Sequence, residues 1–276
     1  NHSSAASDVY KRQDLQQDDA PLVDNPESAA EEVPPKGTLT VGSRDFTEQL
    51  VLGQLMIVAL EEAGFEIIDQ TGLGGTNSAH LAIEAGEVDI IWDYIGTILS
   101  ESHGVPPIGL PSDLETAFQM VSALDARHHD LLWLNPTPFN DTYTLMIEPT
   151  ALAAKTGQVL GSIDDLADYM VANSATLSIC VENEFYSRND GLFSMQDHYG
   201  FAFQEANIEI VAYDQLYEGL RNGICDVAEG FSTDGRISAW GLQNLDDSSG
   251  FFPAYNASPI VRSEIVSEFP EVCLLY

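Results

Sequence analysis

The chain has 276 residues, enough for one large domain or two smaller ones with a real core, and its 44% apolar content is ordinary for a globular protein. Its charge is not ordinary: 44 acidic residues against 10 basic give a formal net charge of −34, so its surface repels nucleic acid and anionic membrane alike. No run approaches the roughly 18 consecutive apolar residues of a membrane-spanning helix.

Residues 1–13 and 273–276 lack periodicity and resemble translated sequencing-adapter read-through, so both are set aside from fold reasoning. Residues 14–36, rich in Asp, Glu, Ala and Pro, read as a solvated tether with no means of burying surface. A tether directly before the first strand fits a protein secreted or held to a membrane outside the cell. Its signal segment would lie upstream of this fragment.

A β-branched strand is expected over 38–43, then Arg44 and a helix to about Ala63 that Thr47 could cap. That helix carries Leu50, Leu52, Leu55, Val58 and Leu60 and stops at Gly64. A second strand covers 65–69. The turn Thr71-Gly72-Leu73-Gly74-Gly75-Thr76 then opens a helix over about 78–85. The turn has Asn77 where a dinucleotide fingerprint needs its third glycine, and it follows the second strand. It reads instead as a helix N-terminus built to approach a neighbouring element.

The run from Glu87 to Thr97 is a buried strand ending on Tyr94 and Thr97, at the carboxyl end where α/β sheets hold ligands. A helix over 112–127 ends at His128-His129, a pair read as a solvated helix end. The 131–134 segment leads into Pro136 to Met146, an extended crossing between lobes that carries Asp141 and Tyr143. A helix near 162–173, a strand at 177–181 and the loop with Arg188 follow. Next come a strand at 208–211, a helix around 216–222 with Tyr217, a strand at 226–229 and the loop holding Trp240. A short strand near 243 and another at 258–261 close the pattern. Strands alternating with helices imply a mostly parallel sheet.

The three lysines and the acidic excess suit a saline environment, where a Debye length of roughly 3 Å at molar salt removes self-repulsion. Cys180 and Cys225 each lie in an apolar run and read as small hydrophobes, with a disulfide between them left open. No Cys or His spacing indicates zinc. Asn140 and Asn256 fit the glycosylation sequon, a match that is commonly accidental.

The loops hold aromatic rings and two arginines but no nucleophile–base pair, no metal triad and no close pair of catalytic carboxylates. A quaternary ammonium has no N–H to donate, so ring faces must hold it, at roughly 0.5–2 kcal/mol each. Arginine supplies a fixed fork for a carboxylate at the other end.

The runs 41–49, 71–76, 94–97, 231–237 and 251–256 together resemble the glycine betaine/choline-binding proteins of osmoprotectant ABC importers, of the ProX/OpuC type. The resemblance covers about Gly37 to Pro270. It implies an α/β, type II periplasmic-binding-protein fold of two lobes, each a mostly parallel sheet flanked by helices, with the ligand in the cleft between them. The first lobe would be 37–143 plus 230–272, and the second 144–229. By the same resemblance Tyr94, Tyr143, Tyr217 and Trp240 form an aromatic cage, with Phe231 competing for the fourth wall. Arg44, Thr97 and Arg188 would hold the carboxylate, and Asp141 would counter the ammonium charge. Arg44 departs from the family's common Lys or Gln, and Arg236 is assigned to bracing the Asp234-Gly235 turn. The expectation is a monomeric extracytoplasmic receptor without catalysis or cofactor, delivering its ligand to a membrane permease. A choline-preferring receptor, a ligand-sensing domain and an enzyme on a related two-lobed fold are the rival readings.

Overall fold

The computed structural model describes residues 34–174 and 176–274; the tether and read-through expected within 1–33, and residues 275–276, lie outside the described residues. Strand β1 (Thr38–Gly42) buries Leu39 and Val41 and runs parallel to β2 (Glu66–Gln70) and β3 (Ile90–Tyr94). Between β1 and β2, helix α1 (Thr47–Glu62) packs Leu52, Met56, Ile57 and Leu60 inward, whereas Leu55 and Val58 of the expected apolar stripe are 60% and 55% exposed. Thr47 is the first helical residue rather than the cap. Phe46 occupies the cap position and makes no side-chain cap bond. Gly64, at φ +96°, supplies the left-handed turn that ends α1 and feeds β2.

Helix α2 (Thr76–Glu84) follows the glycine turn, and β3 passes directly into the short helix α3 (Ile95–Thr97) and a π-helical turn at Ile98–Ser102. Neither of the last two was expected from the sequence. Helix α4 (Leu114–His128) starts with the Asp113 carboxylate accepting from the Thr116 amide at 2.9 Å and leads to β4 (Leu131–Trp133).

The chain then crosses to a second sheet. In order come β5 (Tyr143–Ile147), α5 (Pro149–Thr156), α6 (Ile163–Asn173), β6 (Ile179–Val181), α7 (Asn183–Ser187), α8 (Leu192–Tyr199) and β7 (Ile208–Ile210). They are followed by α9 (Tyr213–Arg221), β8 (Val227–Phe231), α10 (Gly235–Trp240) and β9 (Gln243–Asn244). Finally β10 (Ala257–Arg262) returns to the first sheet, and α11 (Ser263–Glu268) follows.

The sheets have the orders β2-β1-β3-β10-β4 and β7-β6-β8-β5-β9. Each has one strand, β10 or β5, antiparallel to its neighbours, and that strand is the one supplied by the crossing chain. This is the two-lobed α/β arrangement expected. The lobe boundary differs: β8 reaches Phe231 and β9 pairs with β5, so residues 230–245 stay with the second sheet, and the return comes only at β10. The physical reason is that β9 supplies the edge partner for β5, which would otherwise lie open.

The two crossings run together. Asn140 and Asn256 bridge, the Tyr255 amide donates to Asn140 Oδ1 at 2.8 Å, and Thr137 N–H donates to the Ala257 carbonyl at 2.8 Å. The Asn256 amide group is buried and spent on the carbonyls of Thr137 and Phe139, so its sequon is structural. Cys180 of β6 and Cys225, just before β8, form a disulfide with Cα atoms 5.7 Å apart, the pairing that the sequence left open. Parallel pairing of β6 with β8 brings the two cysteines together across a separation of 45 residues. Among the described residues, no helix is long and apolar enough to cross a membrane.

Candidate ligand-binding cleft

Where the lobes face each other, five aromatic rings meet. Phe46, at the cap of α1, stacks on Phe231 at the end of β8, with centroids 5.1 Å apart and planes 19° apart. Tyr94, the last residue of β3, also stacks on Phe46, with centroids 6.0 Å apart. Tyr143, which opens β5, lies 5.0 Å from Phe231, and Tyr213, which opens α9, lies 5.6 Å from Phe231 and 6.0 Å from Phe46. Strand ends and helix starts thus deliver every ring to the inter-lobe face. The Phe46–Phe231 stack divides the cleft into two cavities of about 560 and 540 Å³. Arg44, Tyr143, Glu184 and Glu229 line the first, and Glu48, Asp141, Thr233 and Arg236 the second.

The arginine side is dense with charge. Arg44 is buried, pairs with Asp93 and lies 5.1 Å over the Tyr94 ring. Desolvation lowers its pKa, but Asp93 and Glu184 outweigh that and hold it above the ordinary value. Arg188 donates from Nε to Asp190 Oδ1 at 2.7 Å and from Nη2 to Asp190 Oδ2 at 2.8 Å. Its Nη1 reaches Glu184 Oε1 at 3.0 Å, its Nη2 reaches the Thr97 hydroxyl at a long 3.5 Å, and its plane covers Tyr143 at 5.1 Å. Glu184 stays ionised despite burial, because Arg44 and Arg188 together hold its pKa below the usual range.

The opposite side is acidic. Asp141 is 3% exposed, and burial, with Glu48 beside it, pushes its pKa up to about 8. The Thr233 hydroxyl lies within hydrogen-bonding reach of both Asp141 Oδ1 and, at 2.7 Å, Glu48 Oε2. Asp141 Oδ2 is buried with no hydrogen-bond partner among the described residues. Tyr94 donates its hydroxyl to Glu48 Oε1 at 2.8 Å. Glu229, on β8, is also pushed well up, first by burial and then by Glu182.

Of the eight expected site residues, Arg44 and Tyr143 line the first cavity and Asp141 the second, whereas Tyr94, Arg188 and Thr97 stand one layer back, Tyr94 against Phe46, Arg188 over Tyr143 and Thr97 beside Arg188. The other two line neither cavity. Tyr217 is fully buried behind the site, where its hydroxyl accepts from the Phe231 amide at 3.2 Å and Arg236 covers its ring at 3.9 Å. It lies one turn deeper along α9 than Tyr213, so Tyr213 takes the wall that Tyr217 was expected to form. Trp240 ends α10 and sits under Arg221 at 5.1 Å, outside both cavities. Phe231, the competing candidate, fills that place. Sequence reasoning missed Phe46 and Tyr213 as walls, although each stands at the start of a helix. Arg236 braces its turn as expected, donating to Asp234 through its amide, Nε and Nη2 at 2.8, 3.0 and 2.7 Å.

A family model described as the substrate-binding domain of ABC-type glycine betaine transport systems matches residues 37–274. The chain is 33% identical to a glycine-betaine-binding protein of Pseudomonas aeruginosa, over 87% of this chain and 76% of that one. It is 29% identical to the glycine betaine-binding protein YehZ of Escherichia coli, over 84% and 76% of the two chains. The apo structure of YehZ superposes with a TM-score of 0.60 over 86% of this chain and 84% of that one. The chemotactic substrate-binding protein CosB of Halobacterium salinarum is 25% identical, over 84% and 71%.

Proposed function

Because the chain belongs to the family of substrate-binding domains of ABC-type glycine betaine transport systems, we propose that it captures glycine betaine or a related quaternary-ammonium solute for osmoprotection and delivers it to a membrane permease. Its relatives are transport binding proteins, not enzymes, and their class acts outside the cytoplasm. The Cys180–Cys225 disulfide suits an oxidising compartment, whether the protein is free in a periplasm or anchored at a cell surface. It acts as a monomer in this reading.

One observation carries the ligand assignment: rings from both lobes converge beside two buried guanidinium groups. Phe46 and Phe231 would part to admit the methylated nitrogen between them, with Tyr94, Tyr143 and Tyr213 completing the walls. Roughly 0.5–2 kcal/mol per desolvated face, over several faces, supplies a large share of the about 8 kcal/mol of a micromolar complex. The ligand carboxylate would lie toward Arg44, Thr97 and Arg188, and Asp141 would face the cation. Closure of the lobes would desolvate these contacts and strengthen them. Titration calorimetry tests the reading: a heat of binding and a melting shift with glycine betaine support it, and neither at millimolar ligand refutes it.

A choline-preferring receptor has one observation in its favour. Arg44 and Arg188 are already paired with Asp93, Asp190 and Glu184, which leaves the cleft with more need of a cation than of an anion. Side-by-side titration with choline and glycine betaine separates the two. A chemosensory role, suggested by the likeness to CosB, would show as binding to a receptor ectodomain instead of a permease.

A further inference from the structure

The first lobe gathers four of the chain's six histidines on the side of α2 and α4. His103 Nε2 lies 2.6 Å from Asp125 Oδ1, and the other oxygen of that fully buried carboxylate accepts from Trp133 Nε1 at 2.6 Å. One donor atom from each of His103, Asp125 and His129 lies within 4.8 Å of the others. Beside them, Glu84 Oε1 is 2.7 Å from His129 Nδ1 and 3.0 Å from His80 Nε2. His80 is buried, with its Nε2 against Glu84 and its Nδ1 4.0 Å from Asp93 Oδ2. None of these groups takes part in the cleft.

We propose that His103, Asp125 and His129 form a three-residue binding site for a divalent transition metal of the zinc class, the fourth position being left to water. Two imidazoles and a carboxylate oxygen are a donor set such ions take. The ion replaces the proton that bridges His103 Nε2 and Asp125 Oδ1, so binding releases a proton and moves that pair apart. Tetrahedral donors at 2.0–2.1 Å stand about 3.4 Å from each other. The widest pair in the triad therefore closes by no more than about 1.4 Å, which His129 can provide by rotation just past the end of α4. Trp133 Nε1 holds Asp125 Oδ2 and so fixes the plane in which Oδ1 is presented to an ion. The bound ion would tie the segment after the π-turn to α4, and so raise stability by mass action.

The test uses the full chain, stripped with chelator and titrated with Zn²⁺ in high salt, which screens diffuse binding to the acidic surface. One ion per chain and a rise in melting temperature are expected. His129→Gln, at the half-exposed end of α4, should weaken binding at least tenfold, as should His103→Ala, while His198→Ala should not. Equal Zn²⁺ affinity in His129→Gln and the parent, or no stoichiometric binding, overturns the proposal. Co²⁺ added to the unaltered chain gives a readout independent of any variant's folding. Intense visible bands of a four-coordinate ion support the site, and the weak spectrum of a hydrated ion overturns it.

Discussion

The Glu184 carboxylate of the second lobe accepts a hydrogen bond from the Thr76 hydroxyl of the first, at the N-terminus of α2. A Cβ on Gly75 would lie 3.0 Å from Glu184 Oε2, so glycine at that turn lets the carboxylate approach. The helix dipole and the two arginines favour its charge. Glu184 thus joins the lobes and also occupies ground a ligand carboxylate would need.

Replacing Glu184 with Gln should shift preference toward carboxylate-bearing ligands. The change alters lobe closure for every ligand alike, so the ratio of glycine betaine to choline affinity isolates the electrostatic part. That ratio should rise roughly tenfold, about 1.4 kcal/mol. Calorimetry with both ligands reads it, and an unchanged ratio would show that Glu184 does not compete for the arginines.

Asp141 makes stability fall as pH rises. Its folded pKa, about 8, exceeds the ordinary 3.8, so the folded state keeps a proton that the unfolded chain releases. The fold therefore loses stability progressively from about pH 4 to pH 8, and the penalty is complete above that window. Asp141→Asn removes it. The melting temperature of the variant minus that of the parent should widen from about pH 5 to about pH 8.5, and a constant gap would contradict the assignment. A cationic ligand favours the ionised form, so its binding should release a proton near neutral pH, detectable as a buffer-dependent heat.

The walls of the proposed cage can be ranked by truncation. Phe231→Ala removes a ring stacked on Phe46 and tilted against Tyr143 and Tyr213, and should cost about tenfold in ligand affinity, near 1.4 kcal/mol. Trp240→Ala should leave affinity within about twofold, since its ring lies outside both cavities. Fluorescence or calorimetric titration of the two variants distinguishes them, and a larger loss for Trp240 would give the fourth wall to Trp240 instead of Phe231.

A net charge of −34 predicts a salt requirement. Self-repulsion is screened over roughly 10 Å at 0.1 M salt but over only roughly 3 Å at 1 M. The melting temperature should climb between dilute buffer and molar KCl. A flat or falling profile would mark the acidity as incidental.

Part of the candidate site was legible in the sequence because its residues sit at ends of local elements. Tyr94 closes an apolar run, Tyr143 follows a proline-marked crossing, and Arg44 follows the first strand. Periodicity and turn residues also set out alternating strands and helices. Pairing was beyond it. The sequence could not show that β9 edges β5, that Cys180 meets Cys225, or that Tyr213 faces the cleft while Tyr217 backs it. Helical period puts Tyr213 and Tyr217 on the same face, and only the depth at which α9 docks decides which one meets the other lobe. His103, Asp125 and His129 are likewise 22 and 4 residues apart in sequence and become one cluster only when α4 packs beside the π-turn. Local propensity acts over a few residues, whereas register, docking depth and lobe contact depend on the whole buried surface, and no short stretch of sequence encodes them.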